Sequence, residues 1–120
     1  MSAEGLWTVQ FSRSEEEHEG IQIEEQINRG GVLYLSNNRL YGGGISYYFV
    51  GTYSESASGI SVTVNATKYN DIVAGPFGPV KEVRLIFNGR IDGNTMTLHG
   101  NVEDKPNMRM YVTAEKRVAL

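Results

Sequence analysis

The densest chemistry in this sequence is the run Glu15-Glu16-Glu17-His18-Glu19. Carboxylates around an imidazole could in principle hold a cation, but adjacent acids on a hairpin loop are ordinarily a solvated charge cluster. The use that suits them better is an acidic docking patch for a basic partner. Glu15, Glu16, Glu17 and Glu19 are therefore candidate partner-binding residues, with Glu55 as a further acid beyond the aromatic strand. His18 and His99 have no second His, Cys or carboxylate at metal-ligand spacing, so no metal site is expected. Glu55, Asp71 and Glu103 are isolated in polar turns, whereas general acid–base work needs a desolvated partner. Gly42-Gly43-Gly44 lacks the following helix and the Lys-Ser or Lys-Thr pair of a phosphate cradle and reads as a bend. With no nucleophile–base pair either, the expectation is a binding protein with no cofactor, not an enzyme.

The side chains best suited to recognition are aromatic: Tyr47, Tyr48, Phe49 and Tyr53 combine large contact area with polar tips. On an alternating strand half of them must face the core. Tyr47, Phe49 and Tyr53 are assigned to packing, and Tyr48 with Val50 to the outward face, where an apolar patch would suit a homodimer. If the interior is hollow, Trp7, Tyr47, Phe49, Leu98 and Met110 are candidate lining residues for a small apolar ligand. Met96 and Met108 would add adaptable surface. The alternative is an interior filled by its own side chains, and the sequence leaves the two open.

The elements that must position these residues are strands, because alternation of period two recurs along the chain and helical spacing is nearly absent. Trp7, Val9 and Phe11 share one face, Ser12 to Glu19 reads as a connection, and Ile21 with Ile23 as a second strand. Gly30-Gly31 separates these from Val32 to Leu35, and Asn37-Asn38 is a tight turn leading to Arg39–Tyr41. Ile45 to Tyr53 is the strongest strand, followed by the polar turn Ser54 to Gly59 and the alternating Ile60, Val62, Val64 and Ala66. Tyr69 to Pro79 reads as a long ordered loop that would lid an opening. Val83 to Ile91, the turn at Asp92-Gly93-Asn94, Met96 to Val102, a turn over Glu103 to Asn107 and Met108 to Ala114 complete about eight strands. Gly51, Gly89 and Gly100 within strands mark barrel corners or close approaches of a neighbouring chain.

Consecutive hairpins with one apolar face each bury those faces by closing on themselves. The expectation is an all-β, about eight-stranded antiparallel up-and-down β-barrel of the lipocalin/calycin kind, formed by residues 1–120 as a single domain. A two-sheet sandwich is the alternative. With 120 residues, 40% of them hydrophobic, one core is affordable without disulfides, and no Cys is present. The net charge of −3, with bases scattered, argues against nucleic acid. Residues 1–30 hold seven acids against Arg13 and Arg29, so negative charge concentrates in the first hairpin. There is no membrane-length apolar run, and the opening Met1 to Trp7 has no basic patch before an apolar stretch, so a cytoplasmic location is expected.

Three segments, Gly5-Leu6-Trp7-Thr8-Val9-Gln10-Phe11, Leu40 to Tyr53 and Leu85-Ile86-Phe87-Asn88-Gly89, together resemble the GrlR-like family of bacterial proteins over nearly the whole chain. The resemblance implies a lipocalin-like, dimer-forming β-barrel. It also implies a negative regulator of type III secretion that sequesters a transcriptional activator. The family's exposed Glu-Asp-Glu-Asp motif after the aromatic strand is replaced here by Ser54-Glu55-Ser56-Ala57-Ser58. Activator binding by that route would need a displaced acidic surface such as Glu15 to Glu19.

Overall fold

The computed structural model describes the backbone of residues 3–16, 22–71 and 81–120, and the side chains of 3–12, 30–71 and 81–120. Eight strands follow one another: β1 (Gly5–Glu16), β2 (Gln22–Ser36), β3 (Arg39–Gly43), β4 (Tyr47–Ser56), β5 (Gly59–Lys68), β6 (Glu82–Asp92), β7 (Thr95–Val102) and β8 (Lys105–Ala119). Each pairs antiparallel with its neighbours in chain order and β8 returns to β1, so the sheet is a closed up-and-down barrel and not a sandwich. This is the lipocalin-like architecture expected from the alternation.

The alternation translates directly into inside and outside. On β5, Ile60, Val62, Val64 and Ala66 are buried while Ser61 and Asn65 are exposed; on β7, Met96, Leu98 and Val102 are buried. The buried set is contiguous, and every large side chain in it comes from an inward register position. Asn37 and Asn38 turn the β2–β3 hairpin with φ of 52° and 63°, as the short polar side chains allow. A Cβ on Gly89 or Gly100 would run into the carbonyl oxygen of Thr97 or Ile86 on the adjacent strand, so these glycines mark close backbone approach.

Several boundaries differ from the sequence reading: Gly42 and Gly43 belong to β3 and the bend falls on Gly44 to Ser46, Ser54 to Ser56 extend β4 so that its turn shrinks to Ala57-Ser58, and β8 runs past Ala114 to Ala119. Gly30-Gly31 does not separate two strands: β2 runs through it, with Gly30 opposite Gln10 and Gly31 opposite Val9. Ser12 to Glu16 is strand, not connection: Arg13 to Glu16 pair with β2 after a register shift between Phe11 and Arg13, and Ser12 to Glu15 pair with β8. The turn expected over Glu103 to Asn107 shrinks to Glu103-Asp104, since β8 begins at Lys105.

In an up-and-down barrel the hairpins fall alternately at two ends. At one end lie the start of β1 and the β2–β3, β4–β5 and β6–β7 hairpins. At the other lie Gly44 to Ser46, the exit from β5 and the β7–β8 turn.

Candidate functional site: a cavity inside the barrel

The first end is plugged by the chain's own N-terminal segment. Ala3 and Trp7 have no exposed surface, and the indole Nε1–H of Trp7 donates to the Ala3 carbonyl at 2.9 Å. The Glu55 carboxylate accepts from the Ala3 N–H at 2.7 Å, and Glu4 accepts from the Asn37 N–H at 3.0 Å. Lys116 Nζ lies 5.3 Å from the Trp7 ring centroid, placing a cation over its face. Trp7 is therefore a closing wedge with its one donor satisfied. It is not among the residues that line the cavity, which corrects its assignment as a lining residue. Glu55, expected to meet a partner, is engaged in holding this plug.

Above the plug the interior is hollow. A cavity of about 350 Å³ is bounded by Val9 and Phe11 of β1, Leu33 and Leu35 of β2, Leu40 of β3 and the inward faces of β4 to β8. The expected lining residues Tyr47, Phe49, Leu98 and Met110 all face it, and so does Met96. Met108 instead borders a separate cleft of about 220 Å³ with charged Glu82, Arg84, Glu103 and Lys105, where Arg84 Nε and Glu103 Oε2 pair at 3.1 Å. Phe11 and Phe49 meet edge to face, with centroids 6.3 Å apart at 87°, narrowing the wall at the level of the opening.

The rim beside that opening is polar and braced. Gly44 N–H donates to the Tyr47 carbonyl at 2.9 Å, making the β3–β4 connection a tight turn. Asn70 Nδ2 donates to the Ile45 carbonyl at 2.9 Å, Ser46 Oγ donates to Asn70 Oδ1 at 2.9 Å, and the Tyr69 hydroxyl donates to the Gly44 carbonyl. Ser46 is a buried polar residue of this wall. The exit from β5 is thus strapped onto the turn before β4. Residues 72–79 of the expected lid lie outside the described part of the chain.

Lys68 also belongs to this rim, and sequence reasoning missed it. It continues the inward period of Ile60, Val62, Val64 and Ala66, and it sits opposite Tyr47 across β4 and β5. Its side chain is only 17% exposed, and its Nζ pairs at 2.9 Å with Asp71 Oδ1, whose side chain is 91% exposed. The hydrogen bond to Asp71 holds the ammonium above its ordinary pKa against partial desolvation, with Tyr47 adding to the rise, while Lys68 holds the Asp71 carboxyl below its own. The signal in sequence was the uninterrupted i, i+2 series, ended one step too early at Ala66.

On the outer surface Tyr48 and Val50 are exposed, as assigned. They are joined by Val32 and Tyr34 of β2 and Tyr41 of β3, all at least 40% exposed. Cross-strand register sets Tyr34 opposite Tyr41 and Tyr41 opposite Val50, so the side chains form one stripe. Glu15 and Glu16 occupy the end of β1, not a loop; their side chains, and Glu17 and Glu19 altogether, lie outside the described residues. Among the described residues no group of three or more His, Cys, Asp or Glu could hold a metal ion, and no helix is long and apolar enough to cross a membrane. No protein-family model matches the chain, and a search of curated proteins returns no match.

Proposed function

We propose that the protein is a non-catalytic carrier or sensor that holds a small apolar molecule inside its barrel. The observation that carries this reading is the cavity itself. Protein interiors are packed with few voids larger than a water molecule, whereas this one keeps about 350 Å³ among Val, Leu, Phe and Met side chains. At about 30 Å³ per small group, that is room for roughly a dozen non-hydrogen atoms. Apolar walls of this kind favour an apolar guest over water, which finds few polar partners there.

The test is calorimetric titration with straight-chain alcohols from octanol to tetradecanol, using the wild type and a Val62→Phe/Val64→Phe variant. Both valines line the cavity from β5. Binding by the wild type, weakened at least about tenfold in the variant while its Tm is retained, supports the reading. No binding of any chain length by the wild type overturns it.

A second reading, a regulatory protein-binding module of the kind the GrlR-like resemblance implies, is favoured by the stripe of Val32, Tyr34, Tyr41, Tyr48 and Val50. That face carries no charged side chain among these five. Two copies could bring it together without opposing their like net charge at the contact. The occupant proposed for this face is a second copy of the chain.

A further inference from the structure

We propose that the cavity takes an anionic amphiphile, an apolar chain ending in a carboxylate, with Lys68 as the residue that receives the head group. This rests on the carrier reading above and narrows it to a ligand class.

Lys68 stands at an inward position of β5, one register step beyond the apolar series that walls the cavity, and opposite Tyr47, which lines it. The aliphatic stem of Lys68 is mostly covered while its ammonium reaches the rim, where it takes a carboxylate as partner. Its anion is Asp71, but the two partners are placed unequally: Lys68 is 17% exposed and Asp71 91%. Exchanging Asp71 for another carboxylate returns Asp71 to water at little cost, since so exposed an ion pair is worth little, and the Lys68 ammonium at the rim keeps a partner. Asp71 therefore acts as a stand-in for a ligand carboxylate.

The surroundings favour an anion over a neutral or cationic head. Ser46 Oγ donates to Asn70 Oδ1 and Asn70 Nδ2 to the Ile45 carbonyl, so this hydroxyl and this amide are already committed to bracing the turn. The cation is the rim group whose present partner can leave at small cost. The cavity below supplies the apolar complement, so chain and head would be recognised by separate parts of the same site.

The test uses matched pairs, dodecanoate against dodecan-1-ol and decanoate against decan-1-ol, titrated below micelle formation into the wild type, Lys68→Met, Lys68→Arg and Asp71→Asn. The wild type should prefer each carboxylate to its alcohol by about tenfold, the size of one charge-assisted contact. Lys68→Met keeps the stem and should bind both alike; Lys68→Arg should restore the preference. Asp71→Asn removes the competing carboxylate and should bind the carboxylates several-fold more tightly than wild type, with alcohols unchanged. Equal binding of acid and alcohol by the wild type, or a preference that survives Lys68→Met, overturns the assignment while leaving the apolar cavity in use. Failure of both members of each pair to bind overturns the carrier reading with it. Circular dichroism and Tm of the variants show that each is folded.

Discussion

Single residues at the two ends of the barrel differ in what they do for the molecule. Tyr53 is buried near the plugged end, where Glu4 and Glu55 also stand, and burial is the main reason its hydroxyl titrates above the ordinary tyrosine value. The two nearby carboxylates push the same way, while the Asn38 backbone opposes. The sign of the linkage follows. An unfolded tyrosine releases its proton near pH ~10. The folded state keeps it, so above that pH the unfolded state binds fewer protons and stability falls with rising pH. Below it, Tyr53 contributes no slope. Urea unfolding at pH 8 and again above pH 10 should show a steeper loss for the wild type than for Tyr53→Phe. Equal losses in both proteins would mean that the hydroxyl is not held protonated by the fold.

At the scale of elements, the N-terminal segment acts as a stopper whose contacts are few and specific. Removing residues 1–4 would leave the buried Trp7 N–H without its acceptor, the Ala3 carbonyl, and Glu55 without the amide it caps. An orphaned buried donor costs about 1–3 kcal/mol, and with the lost Ala3 packing the expected destabilisation is roughly 2–4 kcal/mol. Urea unfolding would register it as a lower midpoint at nearly constant slope; an unchanged midpoint would show that the plug contributes nothing. Much of this element order was legible in the sequence. The alternation of β5, β6 and β7 fixed both strand and face, and Asn37-Asn38 announced its turn by residue type. Gly30-Gly31 misled because a glycine pair looks like punctuation locally. Whether it ends a strand depends on partners such as Val9 and Gln10, which lie far away in sequence. The hollow interior was not legible at all, since volume inside a barrel depends on how eight inward faces sum and not on any one of them. Lys68 lay between these cases: its period was visible, but its charge argued against an inward position until the rim and Asp71 were seen beside it.

For the molecule as a whole, closure decides how it can meet other proteins. Along most of their length the strands have neighbours on both sides, and the longest stretch that lacks one is the first part of β2, which the five-residue β3 is too short to cover. Association through the rest of the barrel must therefore use outer side chains instead of added strands. The outward stripe on β2, β3 and β4 is the aromatic part of that surface, and aromatic side chains are favoured at contacts because they bury much area with few torsions to fix. A two-fold contact would set the stripe against itself. Each substitution is then felt twice, and an acid placed in it meets its own copy. Tyr41 and Val50 are direct cross-strand partners near the middle of the stripe. The variant Tyr41→Asp/Val50→Asp should sediment as a monomer of about 13.3 kDa where the wild type sediments as a dimer, with the barrel still folded by circular dichroism because neither side chain belongs to the core. A wild type that stays monomeric at every concentration would remove the second copy as the occupant of this face. It would leave the cavity reading untouched, because stripe and cavity lie on opposite sides of the same strands.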